Sequence, residues 1–306
     1  MVMKDRWEDP AGAKRINNME TFEIMDITTN VQFAIERSMA YRGSLPIYHY
    51  TTMEALLNIT KTKQLWLTDS RYLNDKAEVV NARGIIIDTI NAEANNLSKV
   101  MRECIKRLQS RSWRSRKPIR TYVTSFSRKH DILSQWKGYA HSRSGVCIGF
   151  DRSSIFQSTH EGWNKPYLFK VIYSEKAKID LIKKFLYQLD DALRENRINS
   201  KYAEIVEFTF DGFMEICSVC FKDPSWAEEA EVRLVILPNE VKLLDHREKS
   251  GFIIPFAKCK LNPAEAITSI TLIDGSPLRK KSVQEYLASI DCGSVIKQSE
   301  IDMQFF

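Results

Sequence analysis

Two glutamates one residue apart, Glu229-Ala230-Glu231, stand ahead of Val232 and Arg233 near the end of a motif-rich stretch that begins at Trp226. If this stretch is extended, strand alternation turns both carboxylates to one side, and like charges so placed raise each other's pKa. Such a pair costs stability unless something uses it. A carboxylate beside a sugar can accept a ribose hydroxyl and stabilise the positive charge that develops as a glycosidic bond breaks. The plain alternative is two solvated acids paired with Arg233 or Lys222. Three further polar clusters stand at expected strand ends: His49-Tyr50-Thr51, Tyr72-Leu73-Asn74-Asp75 and Thr124-Ser125-Phe126-Ser127. Each has an ordinary structural use, the histidine as a hydrogen-bonding group, the serines as caps or turns, and Asn-Asp as a helix N-cap.

The elements that must carry these clusters follow from periodicity. Residues 1–45 read as an irregular start and then a helix over 29–41, ended by Gly43 and Pro46; the remainder, 46–306, reads as one α+β domain of catalytic type. A strand is expected at 47–50, then a capping box, Thr51-Thr52-Met53-Glu54, opening a helix with Leu56, Leu57 and Ile59. A second strand follows at 65–67, then a polar loop over 68–76 and one long helix over 77–108. β-branched and aromatic runs predict strands at 121–126, 145–150 and 167–173, with helices over 176–221. Strands return at 232–237, 251–256 and 267–273, then a helix to 290 and a last strand at 293–296. The strands cluster instead of alternating strictly with helices, which predicts a mixed, mostly antiparallel sheet flanked by helices. Trp66, Trp136 and Trp226 are expected in the core, where large rings contribute most buried area.

Composition bounds the rest. A chain of 306 residues with 43% hydrophobic and 27% charged residues can bury a sizeable core. No apolar run approaches a bilayer span and no signal-peptide pattern opens the chain, so a cytoplasmic protein without membrane attachment is expected. No glycine-rich phosphate loop is present, which argues against P-loop and Rossmann cofactor binding. Six scattered cysteines suggest reduced thiols; the close pair Cys217 and Cys220 lies in an apolar pattern that reads as a buried helix face, and no metal is expected. The net charge of +6 is uneven: residues 99–120 hold nine basic residues against one acid, Glu103, a net of +8. With Trp113 among Arg111, Arg114, Arg116 and Lys117, this run could track the phosphates of RNA or DNA while the ring stacks on a base. A solvated helix end is the competing explanation.

The order of motifs resembles a widespread bacterial family filed as domain of unknown function 2971. The likeness is carried by His49-Tyr50-Thr51, Leu65-Trp66-Leu67 with Leu73-Asn74-Asp75, Ser125-Phe126-Ser127, Trp136 to Tyr139, Gly145 to Phe150 and Trp226 to Arg233. A looser similarity is to ADP-ribosyltransferases, in which a His or Arg on an early strand, a Ser-x-Ser or Tyr on a middle strand and a late Glu-x-Glu occur in this order. That resemblance implies an ADP-ribosyltransferase-like sheet and NAD as substrate. It gives His49, with Tyr50 and Thr51, the nicotinamide ribose, Ser125 or Ser127 the nicotinamide end, Glu231 the catalytic role, and Glu229 the acceptor side. Asn74, Asp75, Trp136 and Tyr139 would line the rest of the pocket. The acceptor would be a nucleic acid or a protein, in the manner of a toxin or phage-defence effector, and an inhibitory partner protein would fit such a role. The competing expectation is a nucleic-acid-binding or nucleolytic module, with the basic run on phosphates and the acids on Mg²⁺. A third is a non-enzymatic regulatory module.

Overall fold

The structure is a computed structural model, and it describes residues 18–73, 76–110, 121–139, 145–160, 166–198, 202–237, 244–249 and 251–301. In chain order the elements begin with α1 (Asn18–Met39), β1 (Ile47–Thr52), α2 (Met53–Thr62), β2 (Gln64–Asp69), α3 (Lys76–Glu93) and α4 (Lys99–Ser110). Next come β3 (Tyr122–Ser127), α5 (Leu133–Tyr139), β4 (Gly145–Phe150), α6 (Arg152–Gln157), β5 (Thr159–His160) and β6 (Tyr167–Lys170). Two long helices follow, α7 (Glu175–Glu195) and α8 (Ala203–Cys220), then a 3₁₀ turn (Pro224–Glu229) and β7 (Glu231–Ile236). The chain closes with β8 (Asp245–Lys249), β9 (Phe252–Lys260), α9 (Pro263–Ala266), β10 (Ile267–Leu272), α10 (Pro277–Ser289) and β11 (Val295–Gln298). Among the described residues no helix is long and apolar enough to cross a membrane.

The chain divides into two compact units, of which the first joins residues 1–37, 86–116 and 180–214. Its described part is helical and packs around stacked aromatics: Phe185 lies 4.0 Å from Phe213, nearly parallel, and edge-on to Phe210. The single helix expected over 77–108 is two helices here. The run Asn95-Asn96-Leu97-Ser98 ends the first, and Ser98 starts the second by accepting the Met101 amide on its hydroxyl at 3.2 Å. The Ser98 amide in turn donates to the Asp190 carboxylate on α7. The first described helix begins at Asn18, well ahead of the expected position 29.

The second unit, residues 38–85, 117–179 and 215–306, holds the sheet. It is mixed and mostly antiparallel: its strands run β11-β10-β4-β1-β3-β2-β9-β5, with β7 on β3, β6 on β7 and β8 on β9, and among the described strands only β10 and β11 pair in parallel. β4 is buried along its whole length because β1 and β10 flank it. Gly149 is needed there, since a Cβ would come 2.3 Å from the Ser269 hydroxyl of β10.

One face of this sheet is apolar. Ile47, Phe126, Ile148, Val232, Leu234 and Ile270 share it, and α2 covers it with Leu56 and Ile59. α2 is framed by Thr52, not Thr51: the Thr52 hydroxyl accepts the Ala55 amide, and Lys63 closes the helix at a left-handed φ of 53°. Burying Leu56 in full contributes about 1.5 to 3 kcal/mol.

β8, the outer partner of β9, was not legible as a strand, because Asp245-His246-Arg247-Glu248-Lys249 is wholly polar and its side chains stay largely exposed at the sheet edge. Cys217 and Cys220 are buried on α8, and burial pushes the Cys220 thiol up to about 12.

Candidate functional site

β3 is the organising strand. β7 pairs along its whole length, Ser125 opposite Arg233 and Ser127 opposite Glu231. β1 and β2 share the other edge of β3, Tyr48 opposite Ser127 at one end and Thr68 opposite Val123 at the other, so the sheet forks between them. Two side chains bridge the fork. His49 Nδ1 donates to the Ser125 carbonyl at 2.9 Å, and the Thr124 hydroxyl donates to the Trp66 carbonyl at 2.8 Å. Because a carbonyl only accepts, this bond places the neutral ring's proton on Nδ1 and leaves Nε2 as an acceptor. Burial holds the His49 pKa below its ordinary value, and the charge of Arg247 acts in the same direction.

Alternation decides which side each group faces. The register puts Ser125, Ser127, Glu231 and Arg233 on one face, whereas His49 stands with Phe126 on the other, their rings 5.7 Å apart. Ser125 therefore stands between them: its carbonyl accepts from His49, and its side chain lies on the face of Glu231 and helps keep that carboxylate ionised.

The carboxylate pair is real, but an extended strand does not make it. Glu229 ends the 3₁₀ turn, Ala230 adopts a left-handed φ of 47°, and only Glu231 lies on β7. Lys222 draws the two acids together, with Nζ 2.5 Å from Glu229 Oε2 and 3.2 Å from Glu231 Oε2. Arg233 binds Glu231 through Nε at 2.8 Å and Nη2 at 2.9 Å, and anchors itself by donating Nη1 to the Val219 carbonyl at the end of α8. The Glu231 amide donates to the Tyr173 hydroxyl at 2.9 Å. These acids are not solvated, Glu229 being 7% and Glu231 6% exposed. The expected mutual raising of pKa is also reversed for Glu231. Burial alone would raise it, but Arg233, Lys222 and the Ser125 hydroxyl outweigh that and hold it at about 2.

Aromatic residues rim this network. Trp226 is 45% exposed, not core, because it sits on the 3₁₀ turn with the Lys222 ammonium 5.2 Å from its ring centroid. Tyr139 ends α5 and is part-exposed; burial and the neighbouring Glu229 charge push its hydroxyl up to about 12. Trp136 and Tyr50 instead form a core edge-to-face pair. The Trp136 indole donates to Asp131, and the Tyr50 hydroxyl donates to the Lys129 carbonyl while accepting the Ile132 amide. Thr51 is half-buried at the end of β1. Ser127 also has a framework bond, donating to the Glu229 carbonyl at 2.7 Å. It thereby ties β3 to the turn that presents the carboxylates. Asn74, Asp75, Arg111, Trp113, Arg114, Arg116 and Lys117 lie outside the described residues. Tyr173, 58 positions from Glu231 in sequence, carried no sequence signal of its role.

The model of a family described as Protein of unknown function (DUF2971) matches residues 135–234. Neither a curated protein nor a solved structure matches the chain. The matched stretch holds Tyr139, Tyr173, Lys222, Trp226, Glu229, Glu231 and Arg233, and excludes His49, Ser125 and Ser127; over these residues the chain is similar to that family of unknown function.

Proposed function

We propose that the second unit is an ADP-ribosyltransferase domain that takes NAD as substrate and transfers its ADP-ribose to a nucleic acid or a protein. The observation that carries this reading is Glu231, a buried carboxylate held ionised on β7 with Lys222 between it and Glu229 and with Trp226 and Tyr139 beside that pair, whereas His49 faces the other side of the sheet and stands apart from this cluster. Glu231 stays ionised at every physiological pH, which suits a group that accepts a ribose hydroxyl and faces developing positive charge, and does not suit a general acid. For a ribose to reach it, Lys222 gives up its 3.2 Å contact and keeps the 2.5 Å one to Glu229. Trp226 and Tyr139 then offer ring faces at the mouth for the departing nicotinamide. A Mg²⁺-dependent nuclease is the poorer fit, because both carboxylates spend oxygens on protein cations instead of facing each other across an open coordination site.

One specific observation favours a second reading, a non-catalytic clasp. The two-point grip of Arg233 on Glu231 is what a buried structural ion pair also needs. The experiment that separates them is incubation of the protein with NAD labelled on the adenylate, alone and with RNA, DNA or cell protein. Free nicotinamide and incorporated label are read together. Nicotinamide release by the parent, lost in Glu231→Gln and largely kept in Glu229→Gln while label incorporation falls, supports transfer chemistry. No release by the parent under any acceptor leaves the clasp.

A further inference from the structure

Arg247 of β8 reaches the sheet from outside both clusters discussed above. Its guanidinium carbon lies 5.7 Å from the ring centroids of both Trp66 and Phe256, which stack on each other at 4.5 Å. Nη2 donates to the Thr68 hydroxyl at 2.6 Å. Nε is shielded from solvent and meets no acceptor among the described residues. The nearby carboxylates are spent elsewhere: Asp69 on Arg71, Asp245 on Lys258 and Glu248 on the Gly251 amide. The positive charge of Arg247 is felt by Lys249 and by His49 in the fork, and burial disfavours its own charged state. A half-buried cation on aromatic faces beside a second cation, with donors to spare, is stabilised by an arriving oxyanion.

We propose that Arg247, with Thr68 and Lys249 beside the fork of β1 and β2, forms an anion subsite that takes the diphosphate of a nucleotide ligand. The proposal deepens the reading of this unit as a user of NAD and rests on it for the choice of ligand. The stacked rings of Trp66 and Phe256 and the Thr68 hydroxyl locate the guanidinium, so its remaining Nη N–H groups can meet phosphoryl oxygens.

The test is melting of the full chain against rising inorganic pyrophosphate, compared with sodium chloride of equal ionic strength, with affinity confirmed by calorimetry. Pyrophosphate is expected to raise the melting point saturably. Arg247→Met is expected to weaken it by about tenfold or more, the loss of one charge-assisted contact. Lys249→Gln, at an exposed position of the same strand, is expected to weaken pyrophosphate several-fold and serves if Arg247→Met fails to fold; parent-like binding by it would then overturn the proposal. ADP-ribose should compete with pyrophosphate, and a thymidine decamer should not. The proposal is overturned if the parent shows no saturable shift beyond the salt control, if Arg247→Met binds as the parent does, or if the decamer competes and ADP-ribose does not. Glu231→Gln should bind pyrophosphate normally, so failure of the transfer reading, an inactive parent that still binds pyrophosphate, is told apart from failure of this one.

Discussion

Replacing Glu231 by glutamine keeps its volume and removes its charge, and the surroundings set the consequence. The carboxylate accepts from Arg233 Nε and Nη2 and from Lys222 Nζ. An amide offers one acceptor atom and must aim its NH₂ at one of two cations. The folded-state pKa of about 2 against an ordinary 4.5 corresponds to about 3 kcal/mol of charge-dependent stabilisation, at about 1.4 kcal/mol per unit. That agrees with the roughly 3–5 kcal/mol lost when one partner of a buried pair is removed. For a unit of this size, melting should fall by roughly 6–12 °C at pH 7. The folded pKa is the depressed one, so this stabilisation is complete above pH 4.5 and is lost as pH falls towards 2. The gap between parent and variant should therefore close on acidification. The assay is thermal melting of both proteins at pH 7, 5 and 3, alongside nicotinamide release at 25 °C, where a domain of ordinary stability remains folded. A variant that melts with the parent at pH 7 would refute the account of the network, and undiminished NAD turnover would refute the catalytic assignment.

Trp136→Ala should cost about 3–5 kcal/mol, read by denaturant melting, because the ring is fully buried against Tyr50 and tied to Asp131. Trp226→Ala should cost only about 0.5–1 kcal/mol, the worth of an exposed cation–π contact, yet reduce affinity for NAD; equal destabilisation of the two variants would show that Trp226 is core. Changing Arg111, Arg114, Arg116 and Lys117 together to serine should flatten the salt dependence of RNA and DNA binding while NAD hydrolysis persists. Unchanged binding at low salt would make the basic run a solvated face and a protein the better acceptor.

The strands that carry the site were legible because their composition is local: β1, β3, β4, β7 and β10 are β-branched or aromatic runs, and β4 matches its expected bounds. Elements without such a signature were not. β8 is wholly polar, and the short α5 and the 3₁₀ turn over Pro224–Glu229 hold their places through contacts to β1 and Ser127. The break between α3 and α4 was written in Asn95-Asn96-Leu97-Ser98, but the apolar periodicity on either side masked it.

Residue order alone determined that an acidic pair precedes Arg233, that His49 and the serines lie on early and middle strands, and that the sheet is mixed and mostly antiparallel. Side-chain direction was beyond its reach, because alternation is fixed only once a strand has a partner and a register. The register of β1 on β3 sends His49 to the face away from Glu231, and the left-handed Ala230 replaces the supposed strand geometry of the two acids. Whether a carboxylate is raised or lowered in pKa depends on groups brought in from elsewhere. Only the packing of the end of α8 and the turn against β7 puts Lys222 between Glu229 and Glu231, and so turns an expected repulsion into a buried, neutralised pair.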